Sequence, residues 1–373
     1  MSQRIARRDF LSAAAVGSAT LAAGRASAAP RNPLPRWRGF NLLYFFQARV
    51  RSGHADVSED DFRMISDLGF DFARIPMDYW LWIQSDWRKT GRPAAGDLLK
   101  IDEGAIQPID QVVELGRRYG IHVSLNFHRA PGYCINGAEL EPMLLWRDKD
   151  AEDAFVFHWD FFARRYRGIK PAELSFNLIN EAPRPRPNYM SREDYRRVMT
   201  RATEKIRETS PDRFIIIDGL SVANDVVYEM MPTGVAQAVH AYLPGEVSHY
   251  HASWVDKRQD YPYPNWPAVR RDGTGVYNRN SLEEHYEPWG WLVRQGIGVH
   301  CSEGGGFNRT PHASFLKWMC DVLDILKIHD IGWALWNFRG SFGVLDSGRE
   351  DVPYEDWHGH KLDRKLLTLL QYH

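Results

Sequence analysis

Two glutamates stand where a carboxylate is costly to hold. Glu181 follows the apolar run Leu174-Ser175-Phe176-Asn177-Leu178-Ile179 and Asn180, inside the stretch FNLINEAPRP (176–185), and Glu303 follows Gly298-Val299-His300-Cys301-Ser302. A buried carboxylate is expensive unless it is paired or put to use. Two of them at the lips of strand-like runs point to proton transfer and nucleophilic attack. One group would be kept protonated by burial or a nearby negative charge, the other kept ionised by donors. Other apolar runs end in groups suited to serve them: Arg74 in ARIPMDYW, Asn126 and His128 in NFHRAPGY, His240 and Tyr242 in VHAYLP, His300 beside Glu303, and Trp336 in WALWNFRG. Any one strand-end Arg, His or Asn is more often a hydrogen-bonded structural residue. Six ends converging on one mouth are not explained that way.

The elements that must position these residues alternate regularly. Strand-like runs cover 39–46, 70–75, 122–127, 173–179, 214–218, 236–241, 298–302 and 332–336. Between them lie helix-like segments. Ser58-Glu59-Asp60-Asp61, Ser191-Arg192-Glu193-Asp194 and Ser281-Leu282-Glu283-Glu284 read as capping boxes that open three of them. Others span 102–119, 151–166, 312–328 and 361–370, with the weakest signal near 224–230. Eight strands alternating with about eight helices predict an α/β chain folded as one (β/α)8 barrel, with its chemistry at the C-terminal strand ends. A doubly wound sheet is the rival, but no G-x-G-x-x-G follows the first strand.

Composition narrows the partners. Across 373 residues the formal net charge is −1, which gives no basic surface for nucleic acid. Trp, Tyr and Phe number 14, 16 and 18, more flat aromatic surface than a core demands. The N-terminus reads as a twin-arginine export signal: Arg7-Arg8, Phe10-Leu11, an alanine-rich apolar run and Ala26-Ser27-Ala28, cut after Ala28. That leaves 29–373 as the folded domain, exported to the periplasm or beyond, with no membrane span, and read as a monomer. Loss of Arg4, Arg7, Arg8 and Arg25 with Asp9 takes the charge from −1 to −4. Cys134, Cys301 and Cys320 lack C-x-x-C spacing and are read as unpaired.

Two carboxylic groups facing each other across a barrel mouth are what hydrolysis of a glycosidic bond requires, one as acid/base and one as nucleophile. The ordered set Arg74, His128, Asn180-Glu181, His240, Tyr242, Glu303 and Trp336 resembles glycoside hydrolase family 5, retaining enzymes that include cellulases and mannanases, along the whole mature chain. Here the usual N-E-P element reads Asn180-Glu181-Ala182-Pro183. The resemblance implies Glu181 as acid/base and Glu303 as nucleophile, with Arg74 and Tyr242 holding Glu303. It implies that His128, Asn180 and His240 shape the cleavage subsite, that Trp336 lies under the sugar ring, and that no cofactor is used. A β-glucan is the expected substrate, cut as by an endo-β-1,4-glucanase. β-Mannan, β-1,3-glucan and exo-acting β-glucosidase are the alternatives within the family.

Two rivals come from other classes. A metal-dependent barrel hydrolase could use His128, His240 and His300, but the first strand has no H-x-H, and simple alternation would turn His300 away from the face of Glu303. A non-catalytic carbohydrate-binding barrel would be expected to have lost one acid, and both are present. The long connection 243–280 carries Trp254, Tyr261, Tyr263 and Trp266, read equally as a wall of a sugar subsite or as pins that fix the loop. Trp80, Trp82 and Trp87 are similar candidates on the opposite side, and the loop 130–150 is a candidate for narrowing the cleft.

Overall fold

Runs rich in Val, Ile, Leu and Phe, bounded by turn residues, form parallel strands when both faces are covered. The computed structural model describes residues 31–48, 54–257 and 261–373, so the export signal read over 1–28 lies outside the described residues. The barrel strands are β1 Arg38–Asn41, β2 Phe72–Asp78, β3 His122–Ala130, β4 Leu174–Asn177, β5 Phe214–Asp218, β6 Ala236–Ala241, β7 Val299–Gly304 and β8 Gly332–Leu335. Each pairs in parallel with its sequence neighbours, and β8 pairs with β1 to close the circle. Gly39 marks how tightly β1 is held, since a Cβ there would lie 1.8 Å from the Phe72 carbonyl oxygen.

Outside the barrel run α1 Glu59–Asp67, α2 Gln107–Tyr119, α3 Lys149–Arg165, α4 Arg192–Thr209, α5 Arg279–Arg294, α6 His312–Ile328 and α7 Arg364–Tyr372. The α4 start is the capping box expected at Ser191, with the Asp194 side chain returning the bond. The other two starts differ. Ser58 makes no side-chain cap, because Asp61 instead accepts from the Tyr44 hydroxyl (2.5 Å) and Arg339 (2.8 Å). The cap of α5 is Asn278, with Ser281 as its reciprocal partner three residues inside the helix. Residues 361–362 belong to a small hairpin strand, so α7 begins at Arg364 behind Asp363. The weak segment near 224–230 is no α-helix; positive φ at Ser221, Val222 and Ala223, and Pro232 within a 3-10 turn (Tyr228–Thr233), prevent one.

The main core lies between strands and helices, and a second cluster of Leu34, Trp37, Phe72, Ile216, Ala236, Ala238 and Ala334 fills the N-terminal end of the barrel. Trp37 stacks on the His122 ring there (3.6 Å between centroids). His300 also enters this plug, 4.4 Å from the Phe72 ring. This corrects the alternation argument. The β6–β7 register shifts between Cys301 and Glu303, and the extra residue at the bulge turns both His300 and Glu303 into the barrel at different heights. Burial pushes both His122 and His300 down to about 3, so they are neutral plug residues, remote from the mouth. The three cysteines are unpaired.

Candidate active site

Above the plug the barrel interior turns polar, and Arg74 is its hub. From β2 its guanidinium donates to Asn41 (3.0 Å), Asn177 (2.9 Å), Asn180 (2.8 Å) and Glu303 (2.5 Å), all buried. Four strands are tied to one planar cation whose fork suits such contacts. Glu303, at the end of β7, receives its second donor from the Tyr242 hydroxyl at 3.0 Å. Burial and the charge of Glu303 hold Tyr242 well above the usual phenol range, so it stays a proton donor.

Glu181 lies four residues past the end of β4 in a left-handed conformation (φ 47°), which a glutamate rarely adopts. Bonds on both sides of its backbone hold it there. Its N–H donates to Asp218 (2.8 Å) and its carbonyl accepts from the Tyr133 hydroxyl (2.6 Å). Such strain persists where the surroundings over-determine it, and it concentrates at functional sites. Its side chain meets His240 Nδ1 at 3.1 Å; that nitrogen is also 3.7 Å from Glu303, while His240 Nε2 lies 3.2 Å from Asp218 as an ion-pair contact.

His240 is thus surrounded by three carboxylates. Burial alone would drive its pKa down, but Glu303 and Asp218, with the hydrogen bonds to Asp218 and Glu181, raise it to about 10. It is an imidazolium at neutral pH. Asp218 is held below the usual carboxylate range: burial opposes this, but the charges of His240 and Arg74 and the Glu181 N–H outweigh it. Glu303 moves the other way, raised by burial against the pull of His240 and Arg74 and with the charges of Glu181 and Asp218 added. Glu303 is the more deeply buried of the two acids, with 5% of its side chain exposed against 15% for Glu181. Glu303 and His240, 3.7 Å apart, therefore titrate together.

Asn180 Nδ2 and His128 Nδ1 are buried without partners among the described residues, so both face the cavity with hydrogen-bonding capacity to spare. Burial pushes His128 well below its ordinary value, so it acts as a neutral ring. It stacks 6.0 Å from Trp336, and Phe46 closes edge-on against both. The aromatic candidates outside this group divide. Trp254 is exposed and set edge-on to Phe307 (4.8 Å), joined through His249 to Tyr242 and hence to the acids. Trp266 is not brought to the acids; its indole N–H donates to Asp321 of α6 (2.7 Å), which pins the loop. Trp80, Trp82 and Trp87 are buried, with Trp80 under Arg129 and Trp82 bonded to His158, so they pack the fold instead of walling a cleft.

Asp218, Asn177 and Asn41 were missed in the sequence. Asp218 ends Phe214-Ile215-Ile216-Ile217, the same acid-after-apolar-run signal that marks Glu181. Asn177 was legible as the polar partner of Ser175, two residues apart in an otherwise apolar strand.

One atom each from Glu181, His240 and Glu303 falls within a 4.8 Å cluster. The Arg74 guanidinium, 2.5 Å from Glu303, already supplies a positive charge at this cluster and would repel a cation placed there. Two carboxylates this close at the C-terminal mouth of a (β/α)8 barrel are the arrangement that glycoside hydrolysis uses. Residues 28–341 match the cellulase family, glycosyl hydrolase family 5, and the chain belongs to that family. Endoglucanase C of Acetivibrio thermocellus is 23% identical over 323 residues, covering 80% of this chain and 89% of its own. Cellodextrinase A of Ruminococcus flavefaciens is 27% identical over 285 residues, covering 74% and 76%. A crystal structure of a glycoside hydrolase superposes with a TM-score of 0.84 at 36% identity, covering 90% of this chain and 99% of that one.

Proposed function

We propose that the protein cleaves β-1,4-glucan chains internally with net retention, Glu303 acting as nucleophile and Glu181 as acid/base. The separation of the two acids carries the reading: their oxygens fall within 4.8 Å, while an inverting pair stands about 6.5–9.5 Å apart to admit a water between them. The names of the endoglucanase and cellodextrinase relatives support the substrate.

In the first step Glu303 attacks the anomeric carbon while Glu181 delivers its proton to the leaving oxygen. Arg74 and Tyr242 donate to Glu303 and stabilise its attacking carboxylate against the burial that raises its pKa. In the second step Glu181 takes a proton from water, which displaces Glu303 from the sugar. The free Asn180 amide is placed to bind the sugar 2-hydroxyl, and Trp336 to lie beneath the ring.

Aryl β-cellobiosides test the assignment. Glu181→Ala and Glu303→Ala are each expected to lose at least about 10³-fold in kcat/KM on soluble β-glucan. Azide should restore turnover of the aryl substrate, giving the β-glycosyl azide from Glu181→Ala and the α-glycosyl azide from Glu303→Ala. A chelator should leave the wild-type rate unchanged. Activity of Glu303→Ala without added nucleophile, or an α-configured first product from the wild type, would overturn the assignment.

We also propose export by the twin-arginine route into the periplasm or medium. The Arg7-Arg8 signal and the start of the family match at residue 28 support it.

A further inference from the structure

The chain leaving the acid/base reads Pro183-Arg184-Pro185-Arg186-Pro187, and the hydrolytic chemistry uses none of it. Three prolines fix φ at alternate positions, with Pro187 entering the turn that Arg186 and Met190 close, and the two arginines stand two residues apart. A cleft of about 410 Å³ opens on this segment, walled by Tyr133, Pro183, Pro185 and Tyr189 with Arg184 and Arg186 among its lining. It is tied to the acid/base through the backbone, since the Tyr133 hydroxyl binds the Glu181 carbonyl and Arg184 follows Glu181 by three residues. Both arginines are exposed, and among the described residues neither guanidinium meets a carboxylate. Arg186 lies over the Tyr189 ring, 4.2 Å from its centroid, and its backbone bridges to Met190, which steadies it further. Flat apolar walls with a few fixed polar groups are the usual build of a small-ligand site.

We propose that this cleft receives the leaving group of the substrate, and that Arg184 and Arg186 select leaving groups carrying a carboxylate. The inference rests on Glu181 being the acid/base, because only then does the cleft lie on the leaving-group side. A guanidinium is a planar donor fork matched to a carboxylate, and that of Arg186 is already held over the Tyr189 ring. The carboxylate could belong to a sugar acid or to an aromatic acid; Pro183 and Pro185 offer apolar faces to either.

The test compares cellotetraonic acid with cellotetraitol, two open-chain ends that differ by carboxylate against hydroxymethyl. A second arm compares 4-carboxyphenyl with 4-carbamoylphenyl β-cellobioside. In at least one arm the wild type should prefer the acid by about fivefold in kcat/KM relative to Arg184→Met/Arg186→Met, the size expected of exposed ion pairs. The preference should fade as salt rises to 1 M. Preference in the first arm alone identifies a sugar acid, in the second alone an aromatic acid. The variant's rate on neutral cellotetraitol should stay near that of the wild type. Equal wild-type and variant ratios in both arms would overturn the proposal. Full activity of Glu181→Ala on cellotetraitol would instead overturn the acid/base assignment beneath it.

Discussion

His240 is the residue on which the two acids depend. Its proton is held by Glu303, Asp218 and Glu181 together, and Asp218 is the partner that makes no other contact with the cavity's acids except through the Glu181 backbone. Asp218→Asn should therefore lower the His240 titration followed by NMR from about 10 toward its ordinary value, and reduce kcat/KM by roughly two orders of magnitude. A residue that only filled space would leave that titration in place. The linkage has a definite sign. A histidine raised from about 6.5 in the unfolded chain to about 10 in the folded one contributes stability that is full below about 6.5 and is lost as pH rises through about 10. Denaturant midpoints of the wild type should accordingly fall toward those of His240→Gln between pH 7 and 10. A constant difference across that range would contradict the coupling. Arg74, Tyr242 and Glu303 were readable from residue type and strand position. Asp218 carried the same signal but lacked a sugar-facing role to draw notice to it, because its work is done through other side chains.

The helix starts show how local chemistry is selected by its surroundings. Ser58, Ser191 and Ser281 open look-alike sequences, yet only Ser191 caps a helix with its side chain. At Ser58 the third-position acid is claimed by Tyr44 and Arg339, two loops of the barrel mouth, and the box cannot form. Ser191→Ala should cost about 1 kcal/mol in chemical denaturation, while Ser58→Ala should cost less than about 0.5 kcal/mol, because the half-buried Ser58 side chain makes no cap bond to lose. Equal losses would show that Ser58 caps after all. The β7 bulge makes the same point for strands. Period-two alternation sends His300 and Glu303 to opposite faces, but one inserted residue lets the barrel keep a neutral ring in its plug and a nucleophile at its mouth.

Across the molecule, a barrel carries its chemistry at one end and its closure at the other, so cleft specificity can change without rebuilding the core. Replacing Arg7-Arg8 with Lys-Lys should leave the enzyme in the cytoplasm in fractionation while the protein lacking 1–28 stays active in the lysate. Periplasmic delivery of the Lys-Lys protein would refute the twin-arginine route. Among the described residues no helix is long and apolar enough to cross a membrane. The fold class, the ordered strand ends and the two acids were legible in the chain because apolar periodicity and the cost of burying charge are local properties. Tertiary structure alone decided the rest. Which of Trp254, Trp266 and Trp80 reaches the mouth depends on loop paths that bring distant partners together, as Asp321 does for Trp266. Which acid holds the raised pKa depends on burial and on charges from four strands, and neither quantity exists until the barrel closes.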